Sequence, residues 1–139
     1  PRFLPPQLNG VDIAIASREA KGAVRYDEPL YRHFVGRIFN MMVWVLALPG
    51  INDTQCGFKC FSAEASNRLF PLQTIDGWTF DVEILAIAKK LGYKIVEIPV
   101  PWYYQPQSKV RVVRDFMRTF KELIKVRKII LTRSYEKKG

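Results

Sequence analysis

The stretch Val11-Asp12-Ile13-Ala14-Ile15-Ala16-Ser17-Arg18 sets its large apolar side chains at alternate positions. That period of two predicts a short β-strand over Val11–Ala16, with Ser17 and Arg18 at its C-terminal end. In open α/β sheets, ligands gather at the C-terminal ends of strands, so Arg18 stands where an anion can be met. Helical and strand signals then alternate along the rest of the chain, which is the pattern of an α/β domain.

Working outward, Glu19 to Pro29 carries Gly22, several charges and a proline, and reads as an exposed loop. Leu30 to Leu48 reads as a long helix, apolar from Ile38 onward except at Asn40. That apolar run is too short to span a bilayer, which needs about 20 residues. It is also apolar on nearly every face, which fits either a buried core helix or one lying partly in a membrane interface. Pro49-Gly50 ends the helix, and a polar loop over Ile51–Gln55 follows.

Gly57–Phe61 reads as a strand, and Ser62 offers an N-cap for a short helix to about Phe70. Phe80-Asp81-Val82-Glu83 opens a further helix, with two carboxylates where the helix dipole favours anions. Its apolar face is Ile84, Leu85, Ile87, Ala88 and Leu91, and Gly92 stops it. Tyr93–Val100 is rich in strand formers, but Pro99 and Pro101 cannot donate to a ladder, so this strand ends there or lies at an edge. After the Gln105-Pro106-Gln107 turn, a helix runs from about Val112 to Arg133. Val112, Phe116, Phe120, Leu123, Ile124 and Ile130 recur along it at near-helical spacing, with Arg114, Arg118, Lys121, Lys125 and Lys128 around the polar side.

The chain has 139 residues, 48% hydrophobic and 25% charged, which suits one globular domain and excludes a disordered chain. Its start at Pro1 lacks an initiator Met and the layout of a signal peptide, and reads as a cut inside a longer protein. The net charge of +9 is local: residues 1–108 hold eleven basic and ten acidic side chains, whereas residues 109–139 hold eleven and three. The C-terminal segment is therefore expected to meet an anionic partner. Cys56 and Cys60, about 13 Å apart if both lie on one strand, are out of reach of a disulfide. With a single histidine, His33, they also lack partners for a metal site, and read as reduced thiols in a cytosolic-facing protein.

Arg18 at a strand end, Arg32 on the next helix and Ser108-Lys109 in a late loop are the candidate phosphate contacts, because guanidinium and ammonium groups bind phosphate oxygens by charge-assisted hydrogen bonds. Three strings place them in a wider pattern: Asp53-Thr54-Gln55-Cys56-Gly57-Phe58-Lys59-Cys60-Phe61, then Trp78-Thr79-Phe80-Asp81-Val82-Glu83-Ile84-Leu85, then Ser108-Lys109-Val110. In this order they resemble the polyprenyl-phosphate glycosyltransferases of the inverting GT-A class, nearest to the dolichyl-phosphate β-glucosyltransferases, with the dolichol-phosphate mannosyltransferases next. The resemblance runs from about Val11 to Arg127.

The resemblance implies an α/β fold that is the C-terminal half of a GT-A (Rossmann-like) domain, with amphipathic membrane-interface helices. Residues 1–110 would form the acceptor-side part, and 111–139 a basic amphipathic helix and tail. It implies that Arg18 faces nucleotide-sugar phosphates and Arg32 the lipid phosphate. Asp53 and Gln55 would floor the sugar pocket, with Asp53 and Asp81 as catalytic carboxylates that orient sugar or phosphate. Ser108 and Lys109 would close over the diphosphate. The family's metal-binding Asp-x-Asp is absent from this sequence, so Mg²⁺ or Mn²⁺ and its ligands are expected in a preceding half, no metal ligand is assigned here, and the fragment alone is expected to be inactive.

The function implied is transfer of a hexose, from UDP-glucose ahead of GDP-mannose, to polyprenyl or dolichyl phosphate with inversion. The acceptor is an anion near neutral pH and needs no general base. The partners are then a nucleotide sugar, a polyprenyl phosphate and anionic lipids at the cytoplasmic face of a membrane. Two rival readings exist. One is a non-catalytic membrane-docking or regulatory module. The other, a nucleic-acid binder, is disfavoured because Phe116 and Phe120 share the helix's apolar side instead of forming a platform beside the basic residues.

Overall fold

The computed structural model describes residues 8–104 and 112–135. The expected strand is β1 (Ile13–Ser17), and all five of its residues are buried. It is the centre of a three-stranded sheet of order β3-β1-β4. β3 (Lys59–Phe61) runs antiparallel to it, with Ile13 opposite Phe61 and Ile15 opposite Lys59. β4 (Ile95–Pro99) runs parallel, from Ile13 opposite Ile95 to Ser17 opposite Pro99. Burial on both faces explains why the small partners in the Ile/Ala alternation are alanines and not polar residues.

Two strands make a second, parallel pair: β2 (Val24–Tyr26) and β5 (Pro101–Tyr103). This corrects the reading of Glu19–Pro29 as an exposed loop. The backbone of Val24–Tyr26 is satisfied by a strand that lies far away in sequence, and Tyr26 stacks on Tyr103 with ring centres 4.7 Å apart. The strand does stop at the two prolines, as expected: β4 ends at Pro99 and lies at the sheet edge, and β5 starts at Pro101 in the other sheet.

Helix α1 spans Leu30–Leu46 and α2 spans Ala63–Leu69. Ser62 caps α2 as its side-chain type predicts, its Oγ accepting from the Ala65 N–H at 3.1 Å. A 3-10 turn at Phe70–Leu72 follows. Helix α3 spans Phe80–Leu91 and ends on Gly92, whose φ of 88° is a left-handed conformation that costs glycine nothing. α3 is the central helix. Val82, Glu83 and Ala86 are buried as well as the five apolar residues expected, because helices pack on more than one of its sides. The Glu83 carboxylate is satisfied there by the N–H groups of Thr74 and Ile75 and by the Thr74 hydroxyl, at 2.5–2.9 Å.

Helix α4 spans Val112–Thr132 and packs against α1 and α3. Its inward residues are Thr119, Leu123 and Val126, with Ile130 partly buried. Phe120 and Ile124, expected on the same stripe as Leu123, are instead exposed. The reason is geometric. α4 carries two apolar stripes side by side, and the one a turn of about 100° from the core contact is left outside. Met117, Phe120, Ile124 and Leu131 make up that outer stripe, beside the exposed Arg114, Lys121 and Lys128. α1 also has an outer stripe, Leu30, Phe34, Ile38, Met41 and Val45, and only Val43 of the helix is fully buried. No helix among the described residues is long and apolar enough to cross a membrane.

Candidate functional site

The local chemistry begins where β1 stops. Ser17 is buried, and its Oγ accepts from the Glu19 and Ala20 N–H groups at 3.3 and 3.0 Å, which turns the chain away from the sheet at Arg18. Arg18 is met by the carboxylate of Asp53. Its Nε and Nη2 donate to the two carboxylate oxygens at 2.8 and 2.9 Å, and its backbone N–H donates at 2.9 Å. Such a two-pronged pair fixes both distance and plane.

Asp53 is completely buried. Burial alone would push its carboxyl group up, but the hydrogen bonds and charge of Arg18, with the backbone N–H groups of Arg18 and Gln55, outweigh that and hold it below the usual carboxylate range. The same balance acts on Arg18: burial opposes its charge, and Asp53 more than restores it, leaving the guanidinium more firmly protonated than usual.

A cavity of about 490 Å³ opens beside this pair. Val35, Gly36 and Phe39 of α1 face Phe116 and Thr119 of α4 across it, so the two helices are its walls. Arg18, Arg32 and Gln55, all singled out from the sequence, line it together. Arg32 donates to the Tyr104 hydroxyl at 3.0 Å, with its guanidinium 5.1 Å from that ring's centre. The Gln55 Nε2 is buried and has no hydrogen-bond partner among the described residues. A buried amide donor left unpaired costs about 1–3 kcal/mol, so this one is suited to an acceptor atom of a ligand.

Several lining residues were not anticipated. Trp102 meets the guanidinium groups of both Arg18 and Arg25, at 5.5 and 5.9 Å from its ring centre, where the π-face favours cations. Arg25 is itself neutralised by Glu19 and by Glu28, the latter at 2.6 Å. The run Trp102-Tyr103-Tyr104 after two prolines was the available signal, but its relation to Arg25 depends on the β2–β5 pairing.

The remaining expected site residues are elsewhere. Asp81 accepts from Lys59 Nζ at 2.7 Å and does not line the cavity. That pair ties β3 to the start of α3. Asp53 is buried behind Arg18, so its geometry is that of a group that holds the arginine and not one that touches a sugar. Ser108 and Lys109 lie outside the described residues. Among the described residues no group of three or more His, Cys, Asp or Glu side chains is placed to hold a metal ion. Glu19 and Glu28, two of the carboxylates that line the cavity, are paired with Arg25.

A strand-end arginine, a second arginine on a flanking helix and an unpaired amide around one cavity suit a phosphorylated ligand, and this chain is similar in sequence to glycosyltransferases. In particular, they are dolichyl-phosphate beta-glucosyltransferases. That of Dictyostelium discoideum is 36% identical over 120 residues, covering 84% of this chain and 37% of the relative. Those of Mus musculus and Homo sapiens are 38% and 40% identical, covering 78% and 68% of this chain and 33% and 29% of the relatives. The resemblance read from the three sequence strings is thus supported by similarity over 68–84% of this chain. The chain spans 29–37% of the length of these relatives, about a third. No family model matches the chain. No solved structure matches it.

Proposed function

We propose that this chain supplies the acceptor side of an enzyme that transfers glucose from a nucleotide sugar, UDP-glucose, to dolichyl phosphate. The observation that carries the reading is the meeting of Arg18, Arg32 and the unpaired Gln55 amide in one cavity between α1 and α4. Arg32 takes the acceptor phosphate and Arg18 the donor diphosphate, with Ser108 and Lys109 closing over it. A phosphate monoester has its second pKa near about 6 and attacks the anomeric carbon as an anion, without a general base. Attack opposite the departing diphosphate inverts the anomeric centre. Guanidinium groups held in place before the reaction stabilise the charge that builds on the leaving group. The reading includes Mg²⁺ or Mn²⁺ in the complete protein, with its ligands expected in a preceding half.

The outer apolar stripes of α1 and α4, with the basic residues of α4, support a reading in which this part of the protein works next to a membrane surface on the cytoplasmic side. Apolar side chains enter the interface while Lys and Arg meet anionic headgroups, and a lipid-linked phosphate can then enter between the helices. The test is a transfer assay on the complete protein with Mg²⁺, polyprenyl phosphate and a panel of UDP- and GDP-sugars. Transfer from UDP-glucose alone is expected. Transfer from GDP-mannose would change the donor and keep the reaction class. A folded, lipid-bound protein that uses no donor would favour a non-catalytic docking module.

A further inference from the structure

Glu97 is on β4, opposite Ile15 of the central strand, and is not among the residues that line the cavity. Its carboxylate nevertheless organises the loop on which the site depends. One oxygen accepts from the Asp53 N–H at 2.9 Å, the other from the Asn52 Nδ2 at 2.9 Å, and the Asn52 N–H lies 3.1 Å from both. Asp53 then uses both of its oxygens on Arg18. Arg18 Nη1 keeps no hydrogen-bond partner among the described residues, and the guanidinium borders the cavity over Trp102. The order of dependence is carboxylate, turn, carboxylate, guanidinium.

We propose that Glu97 is a positioning residue for Arg18, acting through the Asn52–Asp53 turn so that the guanidinium meets a phosphate-bearing ligand in one orientation. The proposal deepens the reading of the cavity as a phosphate-receiving site and rests on it. All of the partners of Glu97 are donors, so the role needs two acceptor oxygens. A glutamine at this position would set an NH₂ group against another donor, lose one side of the clamp and let the turn shift. Glutamine has nearly the same volume as glutamate, so packing is little changed.

The experiment uses the complete protein that contains this chain. Glu97→Gln is expected to raise KM for the nucleotide-sugar donor, whose diphosphate Arg18 takes, roughly tenfold, the loss of about one charge-assisted hydrogen bond, with Glu97→Asp recovering part of it. Arg18→Lys removes the bidentate pair. In that background Glu97→Gln should raise KM no further, because two residues of one linked chain do not act additively. Additive effects would mean that Glu97 acts independently of Arg18, and would overturn the proposal. A readout independent of turnover is the Arg18 Nε–H resonance in an ¹⁵N NMR spectrum, assigned by its loss in Arg18→Lys. It should move in folded Glu97→Gln, or in Glu97→Asp should the glutamine variant not fold. An unmoved resonance would sink the proposal. A wild-type protein that transfers no sugar would overturn the functional reading alone, and the resonance would still decide the positioning role.

Discussion

Asp53 shows how one carboxylate can matter to a site by holding another side chain in place. It is buried, and its charge is stabilised by the guanidinium that it holds. Asp53→Asn leaves that guanidinium largely buried without its counter-charge, a loss of about 3–5 kcal/mol for a buried pair. Urea unfolding of the two proteins at neutral pH measures it. The pH dependence has a definite sign. Because the folded-state value for Asp53 is depressed, its contribution is fully present above about pH 3.9, the unfolded value. It is lost as pH falls through the folded value. Asp53→Asn should therefore lose stability less steeply on acidification than the wild type below that point. Sequence alone drew attention to Asp53, Arg18, Arg32 and Gln55 as separate positions. It gave no means of seeing that Asp53 faces Arg18, since 35 residues separate them and neither lies in a regular repeat.

At the scale of elements, α4 illustrates what periodicity can and cannot tell. A 3.6-residue period with a basic face marks a helix, and the helix forms almost over the range expected. Which apolar residues go inside depends on the angle at which it docks against α1 and α3. Leu123, fully buried, and Phe120, 40% exposed, can be told apart by substitution. Leu123→Ala should cost about 2–5 kcal/mol by leaving a cavity in the core. Phe120→Ala should cost less than about 1 kcal/mol, as expected for an exposed position. Thermal or urea denaturation gives both values. Equal losses would mean that the outer stripe is also packed. Elements whose signals are local were legible: the Ser62 cap, the Gly92 stop and the strand before Arg18. β2 was not, because a three-residue strand, Val24-Arg25-Tyr26, is too short to show a pattern of its own and is paired only with β5.

For the whole molecule, the outer stripes lie on α1 and α4, the same two helices that form the cavity's walls with other residues. If this surface meets a bilayer, the protein should co-sediment with vesicles containing anionic phospholipid and be released as salt rises, since surface attraction falls off within about 8–10 Å at physiological ionic strength. Phe120→Glu should weaken that binding with little change in stability. Equal recovery on neutral and anionic vesicles would remove the electrostatic part, and no recovery on either would leave the stripes to be covered by protein. By itself, the sequence determined the α/β class, most helix and strand positions, the glycosyltransferase relationship and the concentration of basic charge near the C-terminus. Those follow from local propensity, composition and residue strings that a reader meets in order along the chain. Only the tertiary structure decided that Asp53 holds Arg18, that Glu97 holds the Asp53 turn, that Trp102 meets two arginines and that α4 turns Leu123 inward and Phe120 outward. Each of these joins residues far apart in the chain, and such contacts form only when folding closes the intervening loops and packing selects one face of each element over another.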